Sequence, residues 1–327
     1  MPNRTRSRPD SRPGSFQAQF ERKWGHLTRP HVRALAWLLD APDLLDPAGA
    51  QWGGRIATLG ALAPAGADWL AALERDPAPL EAALGARPYS RLGLYAEKLM
   101  AFYFEQQGVL VAHGLQVRAN RNDTVGEFDF LLRRGGALLH WEFATKFYLL
   151  DGRLDAGRFN CLVGPNLADT LGLKMRKILE RQLALARHPA AQGLLPQAVD
   201  SAQALVKGWL FYPGGAVQAM AGISPLHNHG FWCTLAQAAG LAAERFVVMP
   251  RLQWLAPLKV AAGAEVLSRA ALRAALAVRF GGAPAPVLVA TVREDNGWVL
   301  ELERGFIVPD DWPGQAAARR LAGTLGS

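Results

Sequence analysis

A chain of 327 residues, half of them apolar and a fifth charged, can bury a substantial core and lies outside the composition range of disordered chains. No apolar run approaches the ~20 residues of a membrane span, the N-terminus lacks the apolar segment of a secretory signal, and Cys161 and Cys233 are too few for a disulfide framework or a cysteine-based zinc site, so a reducing cytoplasm is expected. The net charge of +8 is local: residues 1 to 33 carry eight Lys or Arg against Asp10 and Glu21, which accounts for six of the eight charges and makes the basic field mainly a property of the tail.

Residues 1–29 are expected to form a basic disordered tail, rich in Arg, Pro, Ser and Gly at its start. From Pro30 the segment HVRALAWLLD has helical spacing, with Val32, Leu35, Leu38 and Leu39 as its apolar stripe, and Pro42 ends it. Two Ala-rich pieces follow, so 30–88 is expected to be a helical cap. Ser90 through Gly108 is a better-punctuated helix, with Ser90 placed to cap its start and Gly108 its end. Leu92, Tyr95, Leu99, Phe102 and Tyr103 form its buried stripe, and Glu97 lies on the polar border of that stripe. A strand, GVLVAHGLQVRA, comes next.

The segment TVGEFDFLLRRGGALLHWEFATKFY (124–148) alternates at period two and breaks at Gly135-Gly136, a pair suited to the positive φ values of a tight hairpin turn. If those glycines are the whole loop, Arg134 faces Ala137 and Asp129 faces Glu142. Phe128, Phe130 and Leu132 then share the buried side with Leu139, Trp141, Phe143, Thr145 and Phe147. Glu127, Asp129, Leu131 and Arg133 share the other side with His140, Glu142, Ala144 and Lys146. Two carboxylates directly across a strand pair have Cβ atoms about 5 Å apart and repel each other. Either a hard divalent cation sits between them, or both point into water from the solvated face of an edge hairpin. The hairpin alone leaves both open.

A Gly- and Asn-containing loop leads to a long helix expected from about Leu167 to Arg187, with Leu171, Met175, Ile178, Leu179, Gln182 and Leu185 inward. Lys174, Lys177 and Arg181 make a basic stripe, either a solvated face or a contact for nucleic-acid phosphates. ALVKGWLFYP then reads as a strand. In the last third HGFWCTLAQAAGLA reads as a helix, ERFVVMPRLQWLAPL as a strand with Pro-bounded turns, and SRAALRAALAVRF as a helix. VLVATVREDNGWVLELERGFIVP reads as a hairpin about Asn296-Gly297. Residues 216–327 are thus a mixed α+β part that either extends the central sheet or forms a small second domain. His227-Asn228-His229 lacks the spacing of a zinc site and is read as loop.

The run LGLYAEKLMAFYFEQQG…GEFDFLLRRGGALLHWEFATK resembles the restriction-endonuclease-like, PD-(D/E)xK nuclease core: a helix bearing Glu, then G-E-x-D, a short hairpin, and a hydrophobic strand ending in a Glu/Lys pair. The whole chain, including KGWLFYP, LQWLAPL and ERGFIVPDDWP, resembles a bacterial family known as domain of unknown function 1853. The resemblance implies an α/β fold whose core (89–215) runs helix, three-stranded antiparallel meander, helix, strand. It implies that Asp129 and Glu142 bind Mg²⁺ (or Mn²⁺) together with the backbone carbonyl of Phe143, and that Glu97 is the auxiliary acid. The bound metal would activate water and neutralise charge on a scissile phosphate, with a nearby Lys stabilising the transition state.

One position departs from that pattern. The superfamily's Lys stands two residues after the second acid, where this chain has Ala144. Lys146 keeps the face but lies about 13 Å along an extended strand rather than about 7 Å. A Glu127–Lys146 ion pair is then one expectation, and a strand bend, a bulge, or Lys174 from the next helix are ways to supply the missing cation. The readings to separate are a metal-dependent nuclease cutting DNA and a catalytically inactive nuclease-like module that binds nucleic acid or a protein partner, with a purely structural scaffold as the third.

Overall fold

A computed structural model describes residues 14–120, 123–152 and 159–325. The start of the expected basic tail, residues 1–13, lies outside the described residues. The remainder of that tail is not plain coil: Phe16–Trp24 forms helix α1, capped by the Ser15 hydroxyl, with Phe20 and Trp24 buried. Gln17 donates to Glu301, and Lys259 and Arg33 both pair with Glu21, so α1 is tied to the far end of the chain. Helices α2 (Pro30–Asp40), α3 (Pro64–Arg75) and α4 (Ala78–Leu84) follow, each with proline in its first turn, where the missing N–H costs nothing. The better-punctuated helix is α5 (Leu92–Gln106); Gly108 ends it at φ 65, but its cap residue is Arg91 and no side chain caps it, so Ser90 does not play that part.

The strands are β1 (Leu110–Asn120), β2 (Asp123–Arg134), β3 (Ala137–Leu150), β4 (Leu162–Val163), β5 (Ser201–Pro213), β6 (Asn228–Thr234), β7 (Arg245–Val248), β8 (Lys259–Ala261), β9 (Leu267–Ser268), β10 (Val287–Asp295) and β11 (Trp298–Val308). Between them lie α6 (Leu171–Lys177), α7 (Pro189–Gln192) and α8 (Arg269–Gly282), and α9 (Trp312–Leu325) follows the last strand. One mixed sheet runs in the order β1-β2-β3-β5-β6-β11-β10-β7-β9, with β4 on β3 and β8 on β11. The C-terminal hairpin therefore continues the central sheet, through a parallel pairing of β11 with β6. Its turn residues Asn296 and Gly297 have φ 49 and 80, as the Asn-Gly pair requires.

Two sequence readings change in this part. HGFWCTLAQAAGLA is not a helix: its first half is β6, parallel to β5, and its second half is a single 3₁₀ turn, Gln237–Gly240. A short apolar run buried on both faces of a parallel sheet has no alternation to betray it. The helix expected from Leu167 to Arg187 is broken. Leu167 has φ 59, α6 starts only after the Thr170 cap, a π turn takes Ile178–Gln182, and a 3₁₀ turn takes Leu185–Arg187.

Both faces of the middle of the sheet are covered. On one side α5 and the N-terminal helices pack on Phe130, Trp141, Phe143, Phe147 and Trp209. On the other, α6 and the π turn cover Ala144, Tyr148 and Leu210, and the Leu185 turn covers Phe128, Leu131 and Leu138. β3 sits at the centre, antiparallel to β2 and parallel to β5 along Leu139–Leu149. Gly208 on β5 allows that approach, because a Cβ there would collide with the main-chain carbonyl of Lys146.

Candidate metal centre at a strand fork

The Gly135-Gly136 turn has φ 55 and 86, and the pairs Arg134↔Ala137 through Phe130↔Trp141 follow the expected register. The pairing stops there. Beyond Phe130 the β2 strand stays with β1, while β3 stays with β5, so the two part like a fork. Asp129 stands at its crotch. Its Oδ2 accepts the Phe143 N–H at 2.8 Å, taking the place of the ladder bond lost where the strands separate.

The alternation of faces also breaks at this point. Phe128 was expected beside Phe130, but its ring meets His140 at 4.7 Å on the opposite side of the sheet, whereas Phe130 packs on Phe104 of α5 at 5.1 Å. The change falls at Asp129, between the pairs Leu115↔Phe128 and His113↔Phe130, where the partner strand carries Gly114 at φ 63. A left-handed glycine kinks that strand and lets the ribbon coil.

Glu142 is not on a solvated face. It is 1% exposed and His140 beside it is fully buried, because the π turn lies over them. The His140 Nε2 lies 2.9 Å from Glu142 Oε1, and Gln182 donates its amide to Glu142 Oε2. Burial holds the imidazole down to about 4, so it is neutral, and its Nε2–H donates whenever Glu142 is ionised. Burial, with the Glu142 charge next, pushes the Asp129 carboxyl up to about 7. Burial likewise pushes Glu142 up to about 7, against the pull of Lys174. The two carboxyl groups act on each other electrostatically, so without a cation they hold protons that ordinary carboxylates would have lost.

Of the proposed auxiliary acids, Glu97 on α5 and Glu127 on β2 both converge on Asp129, with carboxylate oxygens of the three within 4.8 Å of one another. His113 fixes Glu97 at 2.8 Å. Glu127 is exposed and accepts weakly from Gln116 at 3.5 Å. The anticipated Glu127–Lys146 pair is absent among the described residues: Lys146 instead donates to Asp169 Oδ2 at 3.3 Å, sharing that oxygen with the Tyr148 hydroxyl at 3.2 Å.

Lys174 comes closer to the acids. Its Nζ donates to Gln182 Oε1 at 3.3 Å, one residue removed from Glu142, and its charge acts on both Asp129 and Glu142. Burial and the neighbouring Lys146 charge push its pKa down. Lys177 and Arg181, expected beside it in one stripe, are exposed, so the stripe splits into one inward cation and two outward ones. His140, Gln182, His113 and Asp169 were not among the expected site residues. The only signal in the sequence was that His140 shares the Glu142 face two residues away and Gln182 the inner face of the following helix.

The donor set suits a hard divalent cation: the Asp129 and Glu142 carboxylates and the Phe143 carbonyl are all oxygens. In an extended strand a residue's N–H and C=O leave on one side, so the Phe143 carbonyl shares the side on which Asp129 takes its N–H. Two neighbouring carboxyls pushed up to about 7 are what a cation would relieve. Among the described residues no helix is long and apolar enough to cross a membrane. No curated protein and no solved structure matches the chain. The family model described as Domain of unknown function (DUF1853) matches residues 33–308, and the chain belongs to that family.

Proposed function

We propose that the protein is a Mg²⁺- or Mn²⁺-dependent nuclease that hydrolyses phosphodiester bonds in DNA in the cytoplasm, on a core of the PD-(D/E)xK kind. The observation that carries this is the convergence of Glu97 and Glu127 on Asp129 at the fork, beside the buried Glu142, with Lys174 acting on both Asp129 and Glu142. Asp129, Glu142 and the Phe143 carbonyl would hold the cation, with Glu97 and Glu127 clustered around Asp129. Held there, a divalent cation would supply a more acidic water and positive charge against that building on the phosphoryl oxygens.

The chain's own groups do the positioning. Phe143 N–H orients Asp129, while His140 and Gln182 grip the two oxygens of Glu142. Lys174 supplies the positive charge that Ala144 cannot, reaching the acids from α6 instead of from β3. Lys177 and Arg181 stand outside as contacts for the nucleic-acid backbone.

Purified protein incubated with plasmid and branched DNA tests this. Cleavage should appear with Mg²⁺ or Mn²⁺ and vanish in Asp129→Asn and in Glu142→Gln; cleavage that survives both refutes the site. The second reading, a nuclease-like module that binds nucleic acid or a protein partner without cutting, is favoured by one observation: Lys146 is spent on Asp169. It predicts salt-dependent binding with no metal-dependent product.

A further inference from the structure

Beyond the fork, β3 keeps an open edge. β2 leaves it at Trp141, β4 joins it only at Leu149, and among the described residues no strand pairs with that edge in between. Phe143 turns its N–H toward this side, so two-residue alternation turns the N–H and C=O of Thr145 and Phe147 there as well. A cleft of about 260 Å³ opens along this edge, lined by Thr145, Lys146 and Phe147 of β3, by Arg91 at the start of α5, by Asp169, and by Arg251 from the turn after β7.

The lining is rich in donors and short of acceptors. Three cationic side chains face one carboxylate, and that carboxylate is already shared by Lys146 and Tyr148. The Thr145 Oγ1 is buried without a hydrogen-bond partner. Leaving a buried hydroxyl without a partner is unfavourable, and a ligand oxygen would remove that cost. Arg251 is steadied over the Trp254 ring at 5.5 Å, at the mouth of the same cleft. The uncapped first turn of α5 adds main-chain N–H groups beside Arg91. Thr145 lies about 7 Å along the strand from Phe143, close to the step between neighbouring phosphates on one nucleic-acid strand.

We infer that this cleft is a phosphate subsite, in which Arg91, Arg251 and the Thr145 hydroxyl hold the phosphodiester next to the one presented to Asp129 and Glu142. The inference rests on the nucleic-acid reading of the fork, but it concerns binding and needs no metal. It leaves Lys146 paired with Asp169 at the wall of the cleft and Lys174 as the cation of the reacting centre.

The test is binding of a fluorescent single-stranded oligonucleotide in EDTA, titrated over a range of KCl, by the full chain and three variants. In Arg91→Gln/Arg251→Gln, the affinity at low salt should fall at least about tenfold. The slope of log K against log salt should shrink by about 0.7, the share of the one phosphate contact that is lost on a single strand. Thr145→Val should bind several-fold more weakly with an undiminished Tm. Asp129→Asn/Glu142→Gln should bind as well as the parent and lose only cutting. Parental affinity and slope in the arginine variant overturn the subsite, as does a parent that binds no oligonucleotide. Inorganic phosphate should displace the oligonucleotide from the parent more than chloride does at equal ionic strength and lose that advantage in the arginine variant; arginine-dependent phosphate binding beside arginine-independent oligonucleotide binding would reassign the cleft to a free anion and also overturn it. Arginine-dependent binding without any metal-dependent product keeps the subsite and defeats the nuclease reading; cutting with arginine-independent binding does the reverse.

Discussion

The acids at the fork should make the metal-free protein less stable as pH rises, and a neutral side chain at position 129 should remove that loss. The unfolded Asp129 carboxyl ionises near 3.8, the folded one near 7, with burial as the main cause. Between those values the folded chain holds a proton that the unfolded chain has released. The group's stabilising contribution is therefore complete below the lower value and is lost as pH climbs through the upper one. A difference of about three pH units at 1.36 kcal/mol each is on the order of 4 kcal/mol. For 327 residues, unfolding entropies of about 2.1 cal/mol/K per residue make 1 kcal/mol worth about 1.5 °C, so the loss is about 6 °C.

Thermal melts of the parent and Asp129→Asn, in EDTA at pH 5 and pH 8, read this out. Asn keeps an oxygen to accept the Phe143 N–H. His140 works in the opposite direction, since burial holds it down to about 4, but it is present in both proteins and its effect drops out of their difference. The variant should melt higher than the parent at pH 8, and its advantage should shrink at pH 5 by about two pH units' worth, about 2.7 kcal/mol or about 4 °C. Mn²⁺ at a hundredfold excess over its Kd should restore about 2.7 kcal/mol, or about 4 °C, to the parent at pH 8 and little to the variant. Parallel pH profiles for the two proteins, or a variant less stable than the parent at pH 8, would show that these carboxyls are not a strained pair awaiting a cation.

Three further outcomes follow from the geometry. Lys174→Met should reduce metal-dependent cutting by about 10²–10³-fold, whereas Lys146→Met should leave the single-turnover rate at saturating DNA within tenfold of the parent; the reverse order would return the catalytic cation to β3. His140→Gln should weaken Mn²⁺ binding by about 10–100-fold in calorimetry, because Glu142 loses the group that orients it. Gly208→Ala should cost about 3 kcal/mol in denaturant unfolding, since the added methyl meets the Lys146 carbonyl across the β3–β5 pair, and an unchanged midpoint would contradict that close approach.

What the sequence made legible was local. Gly135-Gly136 and Asn296-Gly297 each take positive φ, and from those turns the pairing can be counted as far as Phe130↔Trp141 in one hairpin and Val292↔Glu301 in the other. Counting fails where a neighbour distant in sequence takes over. The hairpin leaves Glu142 open between a cation site and a solvated face because its cover, the π turn over Ile178–Gln182, comes some forty residues later and has no periodic signature of its own. Phe128 reads as a partner of Phe130 because strict alternation cannot anticipate a kink whose cause, Gly114, lies on the adjacent strand. β6 reads as a helix because burial on both faces erases the polar half of the pattern.

The fork itself explains why the missing lysine need not disable the site. A sheet that stayed zipped past Phe130 would bond the Phe143 N–H to the main chain and leave no opening at its edge. Parting the strands frees that N–H for Asp129, turns the Phe143 carbonyl to the same side, and opens a gap into which groups from outside the sheet can reach. α6 and its π turn pass directly over that gap, bringing Gln182 to Glu142 and Lys174 to Gln182. A cation delivered from a helix is not bound to the two-residue spacing of a strand. Ala144 then becomes a small buried residue on which Met175 and Ile178 can pack, and the charge it lacks is supplied by the helix that packs on it.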